Sequence, residues 1–192
     1  MKMKLRKCAG LLSLFVLLGI GLFFYLRVNS MYPQKEYRKY RVGDAIDFQS
    51  YRFCVTDAQM FRFMDFKDRY HYIDDIGQTK LVGKYDTNVL VISMRITNPT
   101  DREMPMPPIV YFTLEAKDDA YSTNCDMYIY GSLYNYDYSL LQNPIPPGES
   151  VEVLIPFSID AVFLSIYDGN VLDIKDFIYV ISLYPTKNYI EF

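Results

Sequence analysis

The side chains that most often carry nucleophilic or acid–base chemistry are scarce in this chain: one histidine and three cysteines in 192 residues. His71 stands between Tyr70 and Tyr72 in a polar stretch, with no cysteine in a catalytic relation to it. There is no Gly-x-Ser-x-Gly elbow and no His-Glu-x-x-His pair. The nine glycines are scattered, and none forms the cluster that a phosphate-cradling loop needs. Acids are plentiful. Asp118 and Asp119 with Asp126, or Asp74 and Asp75 with Asp86, offer the hard oxygens that calcium prefers, but neither set has EF-hand spacing. Acids in turns ordinarily face solvent or cap the turn. The chain therefore reads as no enzyme, with no catalytic, metal or cofactor residue expected.

Cysteine arithmetic sets Cys8 apart in the N-terminal apolar run and leaves Cys54 and Cys125 as an even pair. Alternation points Cys125 into a core but puts Cys54 on the face of Arg52 and Thr56. A disulfide between them needs a β-bulge to turn one side chain round. The densest aromatic segment is Tyr128-Ile129-Tyr130-Gly131-Ser132-Leu133-Tyr134-Asn135-Tyr136-Asp137-Tyr138. Tyrosine joins a flat apolar face to a polar tip and loses little entropy on binding, so Tyr128, Tyr130, Tyr134, Tyr136 and Tyr138 are the candidate binding residues. The competing reading is structural: Tyr128 and Tyr130 line the outward face of a strand, and the other three cover a sheet edge.

The elements that must position these residues are strands. The chain holds 19 Tyr and 13 Phe but no Trp, which suits half-buried pleated surfaces. Tyr51, Phe53 and Val55 alternate with Arg52, Cys54 and Thr56. Leu90, Ile92, Met94 and Ile96 alternate with Ser93, Arg95 and Thr97. Val110, Phe112 and Leu114 form a third inward row, and Val151 to Ile159 a fourth. Phe177–Tyr184 is apolar on both faces, as a central strand is. Tyr121–Tyr130 reads as a sixth strand with Thr123, Cys125, Met127 and Ile129 inward. Pro- and Gly-rich turns separate these runs at 98–101, 105–108, 144–148 and 168–170. Short helical turns are expected near Gly131–Leu141 and Asp160–Ile166. Met64–Thr87 stands out as a long polar connection, either an inserted hairpin or a functional loop.

Charge divides the chain. Residues 1–30 carry five bases and no acid, leaving 15 bases against 23 acids beyond them. An acidic body is repelled by a phosphate backbone, so nucleic acid is not an expected partner. Cys8–Leu26 is uncharged for nineteen residues, a helix of about 28 Å against a hydrocarbon core of roughly 30 Å. Four bases precede the run and Arg27 closes it, which puts the N-terminus in the cytoplasm. Val28-Asn29-Ser30 has the small-x-small form of a cleavage site, but the run is longer than a signal-peptide core. The expected organisation is a cytoplasmic tail and signal-anchor (1–30), a basic juxtamembrane stem (31–43) and an extracytoplasmic domain (44–192).

Three features then coincide: the anchor with its stem, the strand ending in Thr97-Asn98-Pro99-Thr100-Asp101, and Pro147-Gly148-Glu149-Ser150 leading into an alternating strand. In that order they resemble the immunoglobulin-like secreted or anchored domains of unknown function of Gram-positive bacteria, over roughly residues 44–160. The resemblance implies an immunoglobulin-like, mostly antiparallel β-sandwich at the cell surface and no catalytic residues. The functional expectation is a non-catalytic, single-pass membrane protein held by residues 8–26 whose outer domain binds another envelope protein. The alternative is a module gripping cell-wall glycan through its tyrosines.

Overall fold

The computed structural model describes residues 2–31, 36–72, 88–118, 121–134, 142–159 and 173–192, with side chains of the N-terminal helix described from Phe15 onward. That helix, α1, runs Lys2–Met31. Among the described residues no helix is long and apolar enough to cross a membrane.

The remainder is a mostly antiparallel β-sandwich of two sheets. Along the chain come β1 (Glu36–Arg41), β2 (Ala45–Phe48), β3 (Tyr51–Arg62), α2 (Phe63–Tyr70) and β4 (Asn88–Thr97). After them come β5 (Thr113–Ala116), β6 (Ser122–Asn124), α3 (Met127–Leu133), β7 (Ser150–Ile159), β8 (Phe177–Ser182) and β9 (Thr186–Glu191). One sheet has the order β1-β9-β8-β5-β6 and the other β2-β3-β4-β7. Leu90, Ile92, Met94 and Ile96 of β4 face Val153, Ile155 and Phe157 of β7 and share one core with Leu114, Tyr179 and Ile190 from the opposite sheet and with Phe112 just before β5. Alternation thus puts the expected rows of β3, β4 and β7 in the shared core. β8, apolar on both faces, is the middle strand of its sheet.

A single bulge builds a second core. Val55 pairs with Met94 and Asp57 with Ser93, so Thr56 is an extra residue in β3. Parity reverses beyond it: Tyr51, Phe53 and Val55 face inward before the bulge, Ala58 and Met60 after it. Phe61 is thereby thrown to the outer face. There it packs with Val89, Val91 and Leu154 beneath α2 and α3, which contribute Phe63, Phe66, Ile129 and Leu133.

Several expectations change. The basic segment expected as a stem is strand β1, so the sandwich begins at about residue 36 and not 44. The expected strand Tyr121–Tyr130 stops at Asn124, because the Asp126 carboxylate accepts from the Tyr128 and Ile129 amides and starts α3 there. Val110 sits in a 3-10 turn, Ile109–Tyr111, and Ile109 takes the fully buried position. Of the connection Met64–Thr87, the first part is α2, closed by His71 in the left-handed conformation at φ 50°. Residues 73–87, and the helical turn expected near Asp160–Ile166, lie outside the described residues.

Candidate functional site

Two of the described candidate tyrosines, Tyr130 and Tyr134, are spent on structure. β7 is an edge strand, and its outward backbone groups are taken up one after another. Tyr121 Oη donates to the Ser158 carbonyl at 3.1 Å, and the Asp126 amide donates to the Pro156 carbonyl at 2.8 Å. The Leu154 amide donates to Tyr134 Oη at 2.7 Å. Pro156 itself has no N–H to offer an incoming strand. This stretch blunts an edge that otherwise recruits other chains. Tyr130 is buried in the main core, its ring 4.7 Å from that of Tyr134. Burial raises the Tyr134 phenol above its ordinary value. Tyr130 therefore does not occupy an exposed strand face. Of the five candidate tyrosines, Tyr128 on α3 is exposed, while Tyr136 and Tyr138 lie outside the described residues.

The cysteines do not pair: Cys54 and Cys125 are both free thiols. The bulge needed to turn Cys54 inward falls after it, at Thr56. Cys54 keeps the outward parity of β3 opposite Arg95, its thiol directed at the Gly43 carbonyl at 3.5 Å. Cys125 lies in the core, where burial first and the nearby Asp126 carboxylate second push its thiol up to about 12. Such a thiol is a packing group and not a nucleophile. Tyr179, deeper still, is raised well above the ordinary phenol value by burial, and its hydroxyl has no hydrogen-bond partner among the described residues.

The remaining sequence candidates have local work. His71 caps α2. Asp126 caps α3 through one carboxylate oxygen, and of its sequence partners for calcium Asp119 is not among the described residues. Asp74, Asp75 and Asp86 also fall outside them. Among the described residues no three His, Cys, Asp or Glu side chains converge as metal ligands.

The two motifs behind the family resemblance prove to be each other's partners. Asn98, fully buried, donates through Nδ2 to the carbonyls of Ile145, Arg102 and Pro146 at 2.8, 2.7 and 3.2 Å. Its Oδ1 accepts from the amide and hydroxyl of Thr100. Its backbone clasps the same turn, the amide donating to Glu149 and the carbonyl accepting from Gly148. Gly148, at φ 72°, supplies the left-handed turn that this clasp needs.

One recess among the described residues was not foreseen from the sequence. A cleft of about 490 Å³ opens where β3 ends and β4 begins, with Met60, Phe61 and Ile174 beside Arg62, Asn88 and the two acids Asp65 and Asp173. Its volume falls within the range of small-molecule and side-chain pockets. The bulge makes it: without the parity change, Phe61 points into the sandwich. Sequence alternation alone carries no signal for that event.

Residues 36–188 match a family described as a domain of unknown function, DUF5028. The chain belongs to this family. The DUF5028 match begins at the first residue of β1, in agreement with the structural start of the sandwich. None of the curated proteins matches the chain. Among solved structures, an uncharacterized beta-sandwich protein from Clostridium difficile is similar at 12% identity and TM-score 0.48, over 82% of this chain and 95% of that one. A conserved hypothetical protein from Bacillus anthracis shows 13% identity and TM-score 0.46, over 79% and 95%. A functionally unknown protein from Listeria monocytogenes shows 11% identity and TM-score 0.45, over 74% and 81%.

Proposed function

We propose that the chain is a membrane-anchored, non-catalytic module, displayed outside the cytoplasm, that binds another protein of the envelope. The observation that carries it is the surface of α1. Phe15, Leu17, Leu18, Ile20, Leu22, Phe23, Phe24 and Leu26 are each at least 50% exposed. A helix that carries apolar side chains all round is stable inside a protein core or a bilayer. The uncharged run to which these side chains belong begins at Cys8. The immunoglobulin-like kinship is part of the same proposal, supported by the two antiparallel layers. The cleft beside Arg62 and Asp65 is the surface offered to the partner: apolar walls give contact area, and charges of both signs orient a polypeptide.

The test is fractionation with protease shaving. The full chain should sediment with membranes, resist salt extraction, and lose residues from 36 onward to external protease. Recovery in the soluble fraction, or a mature N-terminus at Met31, overturns the anchor. A photo-crosslinker beside the cleft should trap one protein species, and Arg62→Glu should abolish the adduct without lowering the melting temperature. An unchanged adduct removes the cleft from the proposal.

A further inference from the structure

Charge changes sign at β1. Residues 42–192 carry eleven bases against twenty-two acids, whereas Lys35, Arg38, Lys39 and Arg41 stand against Glu36 alone. β1 is also an edge of the five-stranded sheet. Tyr40 turns toward the core, its Oη donating to Asn188 Oδ1 at 3.4 Å. Alternation sends Tyr37, Lys39 and Arg41 to the other face. On that face Lys39 meets one oxygen of Glu191, and Lys117 lies 2.7 Å from the other. A carboxylate shared by two ammonium groups leaves the trio positive. Arg41 adds to that charge, and Tyr37 is 66% exposed on the same strand face.

We propose that this β1 edge rests against anionic phospholipid headgroups. The inference depends on the anchor reading above. Four residues of sequence separate Met31, the last residue of α1, from Glu36. The juxtamembrane strand is therefore the part of the sandwich that a bilayer holding residues 8–26 meets first along the chain. Bases within a Debye length of an anionic surface gain while the acidic body is repelled, so both effects favour the same edge. Tyr37 suits that level, where an aromatic ring with a polar tip is stable.

The absence of tryptophan makes the test clean, since Tyr37→Trp installs a single fluorophore. The full-length variant is reconstituted into vesicles of zwitterionic lipid alone or with about one-third anionic lipid, each carrying a headgroup-level quencher. Quenching at position 37 should be stronger on anionic vesicles and should fall when salt shortens the Debye length to about 3 Å. Removing one base by Arg41→Gln should lower the preference for anionic lipid about fivefold. A probe at Tyr128, on α3 over the other sheet, should stay unquenched. Co-flotation with equal, salt-insensitive quenching on both lipids, or stronger quenching at position 128, overturns the docking and leaves the anchor standing. Failure to co-float with either vesicle overturns the anchor and the docking together.

Discussion

Replacing Asn98 should show how much of the sandwich hangs on one side chain. In Asn98→Ala the backbone clasp to Gly148 and Glu149 survives and the side-chain bonds go. Nδ2 has two hydrogens, so its three contacts count as two bonds, and Oδ1 accepts two more. A net contribution of about 0.5–1.5 kcal/mol each gives a loss of roughly 2–6 kcal/mol. The lower half of that range is expected, because the abandoned carbonyls keep other donors. Ile145 still accepts from the Met104 amide, Pro146 from the Glu149 amide, and Arg102 from the Thr100 hydroxyl. Only the Thr100 amide loses its partner. A cost of about 3 kcal/mol corresponds to a fall of roughly 6–12 °C in melting temperature for a domain of this size.

Asn98→Asp separates hydrogen bonding from packing. It keeps the shape but directs a carboxylate at three carbonyl oxygens. The introduced carboxyl is therefore held above its ordinary range in the folded state. A raised carboxyl favours the fold below the unfolded value and weakens it as pH rises through the folded one. Asn98→Asp should accordingly be more stable near pH 4 than at pH 8 relative to the parent, while the deficit of Asn98→Ala stays flat across that window. Urea midpoints of the detergent-solubilised full chain measure both. A loss below about 1 kcal/mol for Asn98→Ala, or a pH-independent Asn98→Asp, would refute the reasoning.

Three further outcomes are expected. Tyr134→Phe removes the acceptor of the Leu154 amide and should cost about 1–3 kcal/mol, whereas Tyr128→Ser should stay within about 0.5 kcal/mol in the same denaturation assay. Phe157→Ala should cost about 3–5 kcal/mol, since the ring is fully buried and stands 5.8 Å from that of Tyr179; a near-neutral result would remove it from the core. Alkaline conditions should weaken the fold through Cys125. Its thiol rises from 9.0 to about 12 in the folded state, so its contribution is intact below pH 9 and declines at roughly 1.4 kcal/mol per pH unit above it. Cys125→Ala should flatten that slope, and alkylation of the native chain at pH 8 should modify Cys54 and leave Cys125 untouched, as peptide mass mapping will show.

The core strands were legible because their alternation is dictated by burial on one face. Leu90, Ile92, Met94 and Ile96 share one buried face with Val153, Ile155, Phe157 and Ile159, whereas Val89 and Val91 on the other face of β4 fill the second core. The register event at Thr56 was not legible, because an inserted residue leaves no compositional mark. With it went Phe61, the second core under α2 and α3, and the cleft beside Arg62. β1 was missed for a different reason. Glu36-Tyr37-Arg38-Lys39-Tyr40-Arg41 has the charge of a solvated stem, and only an edge position tolerates so many exposed cations in a strand. Asn98 was read as turn punctuation, since no local pattern tells a buried asparagine from a solvated one.

The tyrosine segment shows why composition alone separates binding from structure so poorly. A binding loop and an edge cover make the same physical demand: a planar apolar face to exclude water, with a polar tip to satisfy what the face covers. In a binding loop the tip reaches a partner. In this chain the Oη of Tyr134 receives the Leu154 amide and that of Tyr121 reaches the Ser158 carbonyl, both groups of the chain's own edge strand. An edge with unmet N–H and C=O groups is itself a binding site, so covering it removes one available mode of association. The cover also shifts where a partner must be sought. With that stretch of β7 closed and Tyr130 in the core, the proposed recognition draws on two surfaces that stay open among the described residues. These are the cleft at Arg62 and Asp65, and the cationic edge at β1. They differ in their response to salt: a cleft with apolar walls keeps most of its affinity, while an edge held by charge is released. Titrating salt against each variant tells the two apart.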